Sequence, residues 1–188
     1  MKIKSILALI MIAIVAVLFT SCDKVGGSAS VQVKYPLQPM KFNYVSSHQK
    51  SVNEELLLYQ TQVNINADSL INKYLPGGVL GNTEFDTLWI TIPPSDTANF
   101  AWLASARVVV ASDSVFTNPL PIGNVTNNDS TSNSKLLVLH LNQTNIQPLL
   151  GTRGFWFRLY AATRGPIPYA WIEMQINSGL TVTINPSK

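Results

Sequence analysis

Phe85-Asp86-Thr87-Leu88-Trp89-Ile90-Thr91-Ile92, closed by Pro93-Pro94-Ser95-Asp96, decides the fold class of this 188-residue chain. Leu88, Ile90 and Ile92 fall on one face, and Phe85, Thr87, Trp89 and Thr91 on the other. That is the period of two that a half-buried strand requires. Two prolines in a row supply no N–H to a ladder and end it.

The same pattern repeats in both directions. Towards the N-terminus, Lys41–Ser46 reads as a strand. Glu55–Asn66 is a longer one, with Leu57, Tyr59, Thr61, Val63 and Ile65 on one face. Asp68–Leu75 reads as a two-turn helix capped by Asp68 and stopped by Pro76-Gly77-Gly78. Towards the C-terminus, Thr97–Ser105 predicts a short helical crossover carrying Phe100 and Trp102, and Arg107–Ser112 a central strand. Pro119–Val125 and Lys135–Asn142 are further strands, and Asn145–Leu150 a helical turn. Arg153–Thr163 and Tyr169–Asn177 read as a hairpin around Arg164-Gly165-Pro166, followed by a last strand, Leu180–Ile184. Eight or nine short strands with regular turn signals predict an all-β, two-sheet antiparallel β-sandwich with one or two short helical turns. It is Ig-like or jelly-roll-like, with a partly closed barrel as the alternative.

Lys2 and Lys4 precede an apolar run of 14 residues, Ile6–Phe19, ending in Leu18-Phe19-Thr20-Ser21-Cys22, which holds the only cysteine. At about 1.5 Å per residue the run makes roughly 21 Å of helix, short of a hydrocarbon core of about 30 Å. It fits the apolar region of a signal peptide. The stretch resembles the signal of a bacterial lipoprotein, with small Ser21 before a cysteine that becomes the lipidated N-terminus. Its loose Ser-Cys ending followed by Asp23-Lys24 is similar to signals of Bacteroidota lipoproteins. The resemblance implies residues 1–21 as signal peptide, acylation of Cys22, and a cell-envelope location. The outer membrane is expected, on its periplasmic or its surface side. Multiple acyl chains give stable anchoring where one is marginal. Asp23-Lys24-Val25-Gly26-Gly27-Ser28-Ala29-Ser30 is small and polar, a tether spanning about 15 Å. Val31–Met40 is expected to be an extended lead-in. Residues 22–38 are assigned to the lipidated N-terminus and tether, and 39–188 to a single domain.

Lys2 and Lys4 account for two of the 13 Lys+Arg, which leaves 11 against 10 Asp+Glu after the signal. That near-neutral balance gives no basis for nucleic-acid binding. With Cys22 acylated the domain has no disulfide, and a chain of this length needs none to bury a core.

Catalytic motifs are absent from the sequence: there is no nucleophile elbow, zinc-binding helix, phosphate loop or Cys/His metal spacing. His48 lies in a polar stretch and His140 among leucines. Glu54 and Glu55 are adjacent, so a strand would point them to opposite faces. The chain is read as a binding protein, not an enzyme, with no cofactor and no metal. Its aromatic residues carry the stronger signal. On the predicted hairpin Tyr160 faces Tyr169, Arg158 faces Trp171 and Trp156 faces Glu173, with Gln175 beside them. Flat rings beside hydrogen-bonding groups are what a sugar requires. The structural reading is that the same pairs only stabilise a sheet, by about 0.2–1 kcal/mol each. The expectation is a lipid-anchored envelope module binding a glycan through Trp156, Arg158, Tyr160, Tyr169, Trp171 and Glu173. The alternative is a structural or protein-interaction subunit of the envelope with no small ligand.

Five of six aspartates precede Ser or Thr, at Asp68-Ser69, Asp86-Thr87, Asp96-Thr97, Asp113-Ser114 and Asp129-Ser130. These tripeptides are similar to the O-glycosylation acceptor of exported Bacteroidota proteins, which implies modification at Ser69, Thr97, Ser114 and Ser130. Asp-Ser and Asp-Thr also favour caps and turns without any modification.

Overall fold

The computed structural model describes residues 29–45, 55–129, 131, 133–150 and 154–187. Cys22, His48 and Glu54 lie outside them, and so do the signal and most of the tether. Among the described residues no helix is long and apolar enough to cross a membrane. The strands are β1 (Val31–Pro36), β2 (Met40–Val45), β3 (Glu55–Val63), β4 (Val79–Thr91), β5 (Leu103–Ala111), β6 (Leu120–Val125), β7 (Leu136–Val138), β8 (His140–Leu141), β9 (Phe155–Thr163) and β10 (Trp171–Asn185). Among the described residues one helix, α1 (Ala67–Tyr74), and two single 3-10 turns, Phe100–Trp102 and Gln147–Leu149, complete the elements.

Two antiparallel sheets face each other, β1/β2–β10–β4–β7 and β3–β9–β5–β6–β8. β1 and β2 lie end to end along one side of β10, pairing with its second and first halves. β7 and β8 are one run that leaves the first sheet at Leu139 and joins the second. Counted that way, eight strands remain among the described residues, and their order is that of a jelly roll rather than an Ig sandwich. Phe155, Phe157 and Leu159 from β9 meet Ile172, Met174 and Ile176 from β10 in the core, all essentially inaccessible. Phe85 and Phe155 bridge the two sheets edge to face at 5.8 Å.

Several expectations are corrected. β9 and β10 form no hairpin, because each is interior to a different sheet. β9 lies between β3 and β5, and β10 between β1/β2 and β4. The segment 164–170 crosses between the sheets instead, and Pro166 and Pro168 deny it two ladder donors. The domain does not begin at 39: Val31–Pro36 is strand β1, paired with Gly179–Ile184. β10 runs straight through Ser178-Gly179 rather than turning there. Phe85 belongs to the core face, because a register shift leaves Asp86 as an extra residue between Thr87 and Phe85. A second shift, at Leu58, leaves Leu57 exposed opposite Tyr160 and turns Tyr59 inward to stack on Phe42 at 4.4 Å. Asn66, not Asp68, caps α1, its side chain accepting the Ser69 N–H at 2.8 Å.

The jelly-roll connections group at two ends. Among the described residues, 93–99, 126–129, 133–135 and 164–170 lie at one end, and the start of β1, α1, 112–119 and 142–150 at the other. The first group is interlocked: Phe100 N–H donates to Ser134 O at 3.0 Å, Arg164 N–H to Trp102 O at 2.9 Å, and Asn128 Nδ2 to Phe100 O at 2.8 Å.

Candidate functional site

The six residues expected to share one face are divided between the two outer faces of the sandwich. Alternation assigns inside and outside correctly along both strands, but with β9 and β10 in different sheets the outward sets point apart.

Trp156, Arg158 and Tyr160 lie half-buried on the outer face of the second sheet, beneath the segment 112–119. Phe116 folds down over them, 7% exposed, in a small cluster with Val109, Ala111, Trp156 and Tyr160. The Arg158 guanidinium lies 3.9 Å from the Phe116 ring centre. It donates to Gln60 Oε1 at 2.6 Å, Tyr160 Oη at 3.2 Å and the Ser114 carbonyl at 3.1 Å. Beside it Arg107 stacks on Tyr160 at 4.3 Å and grips both oxygens of Glu55 at 2.5 and 2.6 Å. The Arg107 hydrogen bonds hold the Glu55 carboxyl below its usual range, and Glu55 in turn raises Arg107. These aromatic and basic groups are used in holding a loop against the sheet.

Tyr169, Trp171 and Glu173 are brought together on the first sheet, at the end where the loops interlock. They line a depression of about 420 Å³ with Ser95, Asp96, Thr97, Pro168 and Ala170. Trp171 is 53% exposed. A second depression of about 620 Å³, sharing Ser95 and Glu173, carries the groove on past Gln175 and Thr91 to Lys41 and Leu136.

The loop 93–99 walls this groove for a local reason. In the register of β4 on β10, Thr91 lies opposite Gln175, so Glu173 comes opposite Pro93. Pro93 has no N–H, and its carbonyl is turned to accept the Asp96 N–H at 3.1 Å. The Glu173 N–H is taken by the Asp96 carboxylate instead, at 3.0 Å, while the other Asp96 oxygen accepts the Ala98 N–H at 2.8 Å. Those two N–H groups hold the Asp96 carboxyl below the usual range, with Lys135 adding to them against the cost of burial. Lys135 Nζ ties the loop again, donating to the carbonyls of Pro94, at 3.0 Å, and Asp96. Sequence reasoning missed Asp96, Lys41 and Lys135 as site residues. The signal for Asp96 is the double proline, which leaves a ladder donor to be met by a nearby acceptor.

Three of the Asp-Ser/Thr tripeptides are turns in which the aspartate accepts the N–H two residues on: Asp96 from Ala98, Asp113 from Val115 at 2.9 Å, and Asp129 from Thr131 at 2.8 Å. Ser69, Thr97 and Ser114 are exposed, and Ser130 lies outside the described residues. His140 is exposed on β8. Among the described residues no group of three or more His, Cys, Asp or Glu is placed to hold a metal ion.

No family model matches the chain, and no curated protein matches it. Among solved structures it is similar to one from Desmodium yellow mottle tymovirus, at 14% identity over 87% of this chain and 93% of that one, with a TM-score of 0.30. It is also similar to one from turnip yellow mosaic virus, at 12% identity over 87% and 86% of the two chains, with a TM-score of 0.28. At those scores the likeness carries no argument about function.

Proposed function

We propose that the chain is a lipid-anchored cell-envelope module that binds a glycan in the groove at Trp171 and Glu173. The observation that carries this reading is an indole more than half exposed at the mouth of a groove ringed by polar groups. The C–H face of a sugar stacks on such a ring, while Glu173, Ser95 and Thr97 reach its hydroxyls. Asp96 has both oxygens engaged by backbone N–H groups and a depressed pKa.

The anchor rests on the Ser21-Cys22 resemblance, and the geometry is compatible with it. The chain joins the first sheet at Val31, opposite Ile184, at the far end of β10 from Trp171. β10 is 15 residues long, roughly 45–50 Å at strand rise, so the groove faces away from the anchored end.

A protein-interaction subunit is the second reading, favoured by Leu136 and Val138, 50% and 58% exposed at the margin of the first sheet. Strand addition there meets an obstacle: the Ser134 hydroxyl donates to Leu136 O at 2.7 Å and accepts its N–H at 3.1 Å. That hydroxyl occupies the backbone groups an incoming strand would need.

The test is retardation of soluble 23–188 in native gels cast with a panel of polysaccharides. Retardation of the wild type and of Trp156→Ala, lost in a folded Trp171→Ala, is the expected result. Equal retardation of Trp171→Ala and wild type, or none on any glycan, overturns the reading and directs crosslinking to an envelope partner.

A further inference from the structure

Trp171 is not alone on its face. Along β10 the outward side chains are Trp171, Glu173, Gln175 and Asn177, since Ile172, Met174 and Ile176 are buried between them. The neighbouring strand β4 turns Trp89 and Thr91 outward on the same side, because Leu88 and Ile90 fill the core. The register sets Thr91 opposite Gln175 and Trp89 opposite Asn177. Two indoles therefore lie on one sheet face, Trp171 exposed and Trp89 half-buried, separated by the six-residue step from Trp171 to Asn177, about 20 Å.

The ground between them is chemically uniform. Gln175, Thr91 and Asn177 present amides and a hydroxyl, and Gln175 Nε2 donates to Asn177 Oδ1 at 2.7 Å, which fixes both amides on the surface. Lys41 and Glu173 flank this row with opposite signs. The larger depression takes in Thr91, Glu173 and Gln175 from this row and reaches sideways to Pro94 and Lys135. A monosaccharide or disaccharide is too short to touch both rings. An anionic polymer would gain no net charge complement from a surface on which Lys41 and Lys135 are matched by Glu173 and Asp96.

Resting on the glycan reading of the Trp171 groove, we propose that the ligand is an extended, uncharged polysaccharide lying along the outer face of this sheet from Trp171 to Trp89. The two rings are the end stacking platforms, and Gln175, Thr91 and Asn177 are the hydrogen-bonding row between them. Leu136 and Val138, opposite Thr91 and Trp89 on β7, give the track an apolar shoulder against which C–H edges rest.

The experiment is calorimetric titration of soluble 23–188 with linear neutral oligosaccharides of two to eight units, from cello-, laminari-, xylo- and manno- series, and with a polygalacturonate series as the anionic arm. In a neutral series, affinity is expected to rise at least tenfold between two and about six units. A folded Trp89→Ala variant should lose that rise, and Trp89→Phe should keep most of it. Trp156→Ala, on the opposite sheet, should match the wild type. Affinity independent of length, or a length effect untouched by Trp89→Ala, overturns the track. If Trp171→Ala still abolishes binding in that case, the groove reading survives it. Preference for polygalacturonate overturns the neutral ligand class, and no binding in any series overturns both proposals.

Discussion

Replacing Asp96 with alanine should destabilise the domain and loosen one wall of the groove. The carboxylate accepts the N–H groups of Ala98 and Glu173 at 2.8 and 3.0 Å, and the second of these stands where the β4 ladder would have continued but for Pro93. Hydrogen bonds to a charged acceptor contribute about 1.5–3 kcal/mol each. Asp96 is half-buried and the freed N–H groups can recruit water, so the expected loss is about 1–2 kcal/mol in all. At about 2–4 °C per kcal/mol for a domain of this size, that lowers Tm by roughly 2–8 °C at pH 7. Asp96→Asn keeps one acceptor oxygen and should fall between wild type and alanine. The pH dependence has a definite sign. The folded-state pKa is lowered, so the contribution is full above the unfolded value of about 3.9 and is lost as pH falls through the folded one. The gap between thermal melts of wild type and Asp96→Ala should narrow as pH falls below the unfolded value and close below the folded one. Equal melting temperatures at pH 7, or a gap as wide at pH 2.5 as at pH 7, would refute the assignment of Asp96 as the acceptor that replaces the ladder bond.

Two further substitutions test other joints. Gly154 has φ +84°, and a Cβ there would come within 1.9 Å of the Val63 carbonyl oxygen. Gly154→Ala should therefore cost about 3 kcal/mol or more through backbone strain and overpacking; an unchanged urea midpoint would contradict that placement of β9 against β3. Arg158→Ala removes three hydrogen bonds and the contact with Phe116, and should cost about 1–2 kcal/mol. It should also speed hydrogen exchange at the amides of Val115 and Thr117, with glycan retardation unchanged. Slow exchange in the variant would mean that Asp113, which accepts both N–H groups, holds the loop without help.

Period-two alternation made the inside and outside of most strands legible from sequence, because each outward residue there is followed by one that the core must take. It failed at Leu57 and Phe85, where a bulge adds one residue and exchanges the faces, and no local composition marks those places. Strand pairing was less legible. Arg164-Gly165-Pro166 between two aromatic strands has the composition of a hairpin turn, but whether neighbours in sequence pair depends on which other strands occupy their edges. Here all four edges of β9 and β10 are filled by distant segments. That single error joined two aromatic sets which the fold keeps on opposite outer faces. Ser178-Gly179 misled for the same reason, since a turn-forming pair stays extended when flanking strands hold it.

Separating the two sets gives each a different physical role. Arg158 and Tyr160 are hydrogen-bonded within the chain and Trp156 packs beneath Phe116, and a ligand on that face would first have to displace Phe116 and the Ser114 carbonyl from Arg158. Trp171, by contrast, stands exposed above a wall fixed from below by Asp96 and Lys135. Exposing an indole forgoes the burial that stabilises the other aromatic residues, about 25 cal/mol per Å² of apolar surface. The fold leaves it exposed where a rigid loop, a long central strand and a second outward indole on β4 share one face. A preformed platform of that kind holds its rings in place before a ligand arrives, so little of the binding energy is spent on ordering the site. This is why the outer face of the first sheet, and not the denser aromatic cluster of the second, is the surface on which this protein meets its ligand in the reading proposed above.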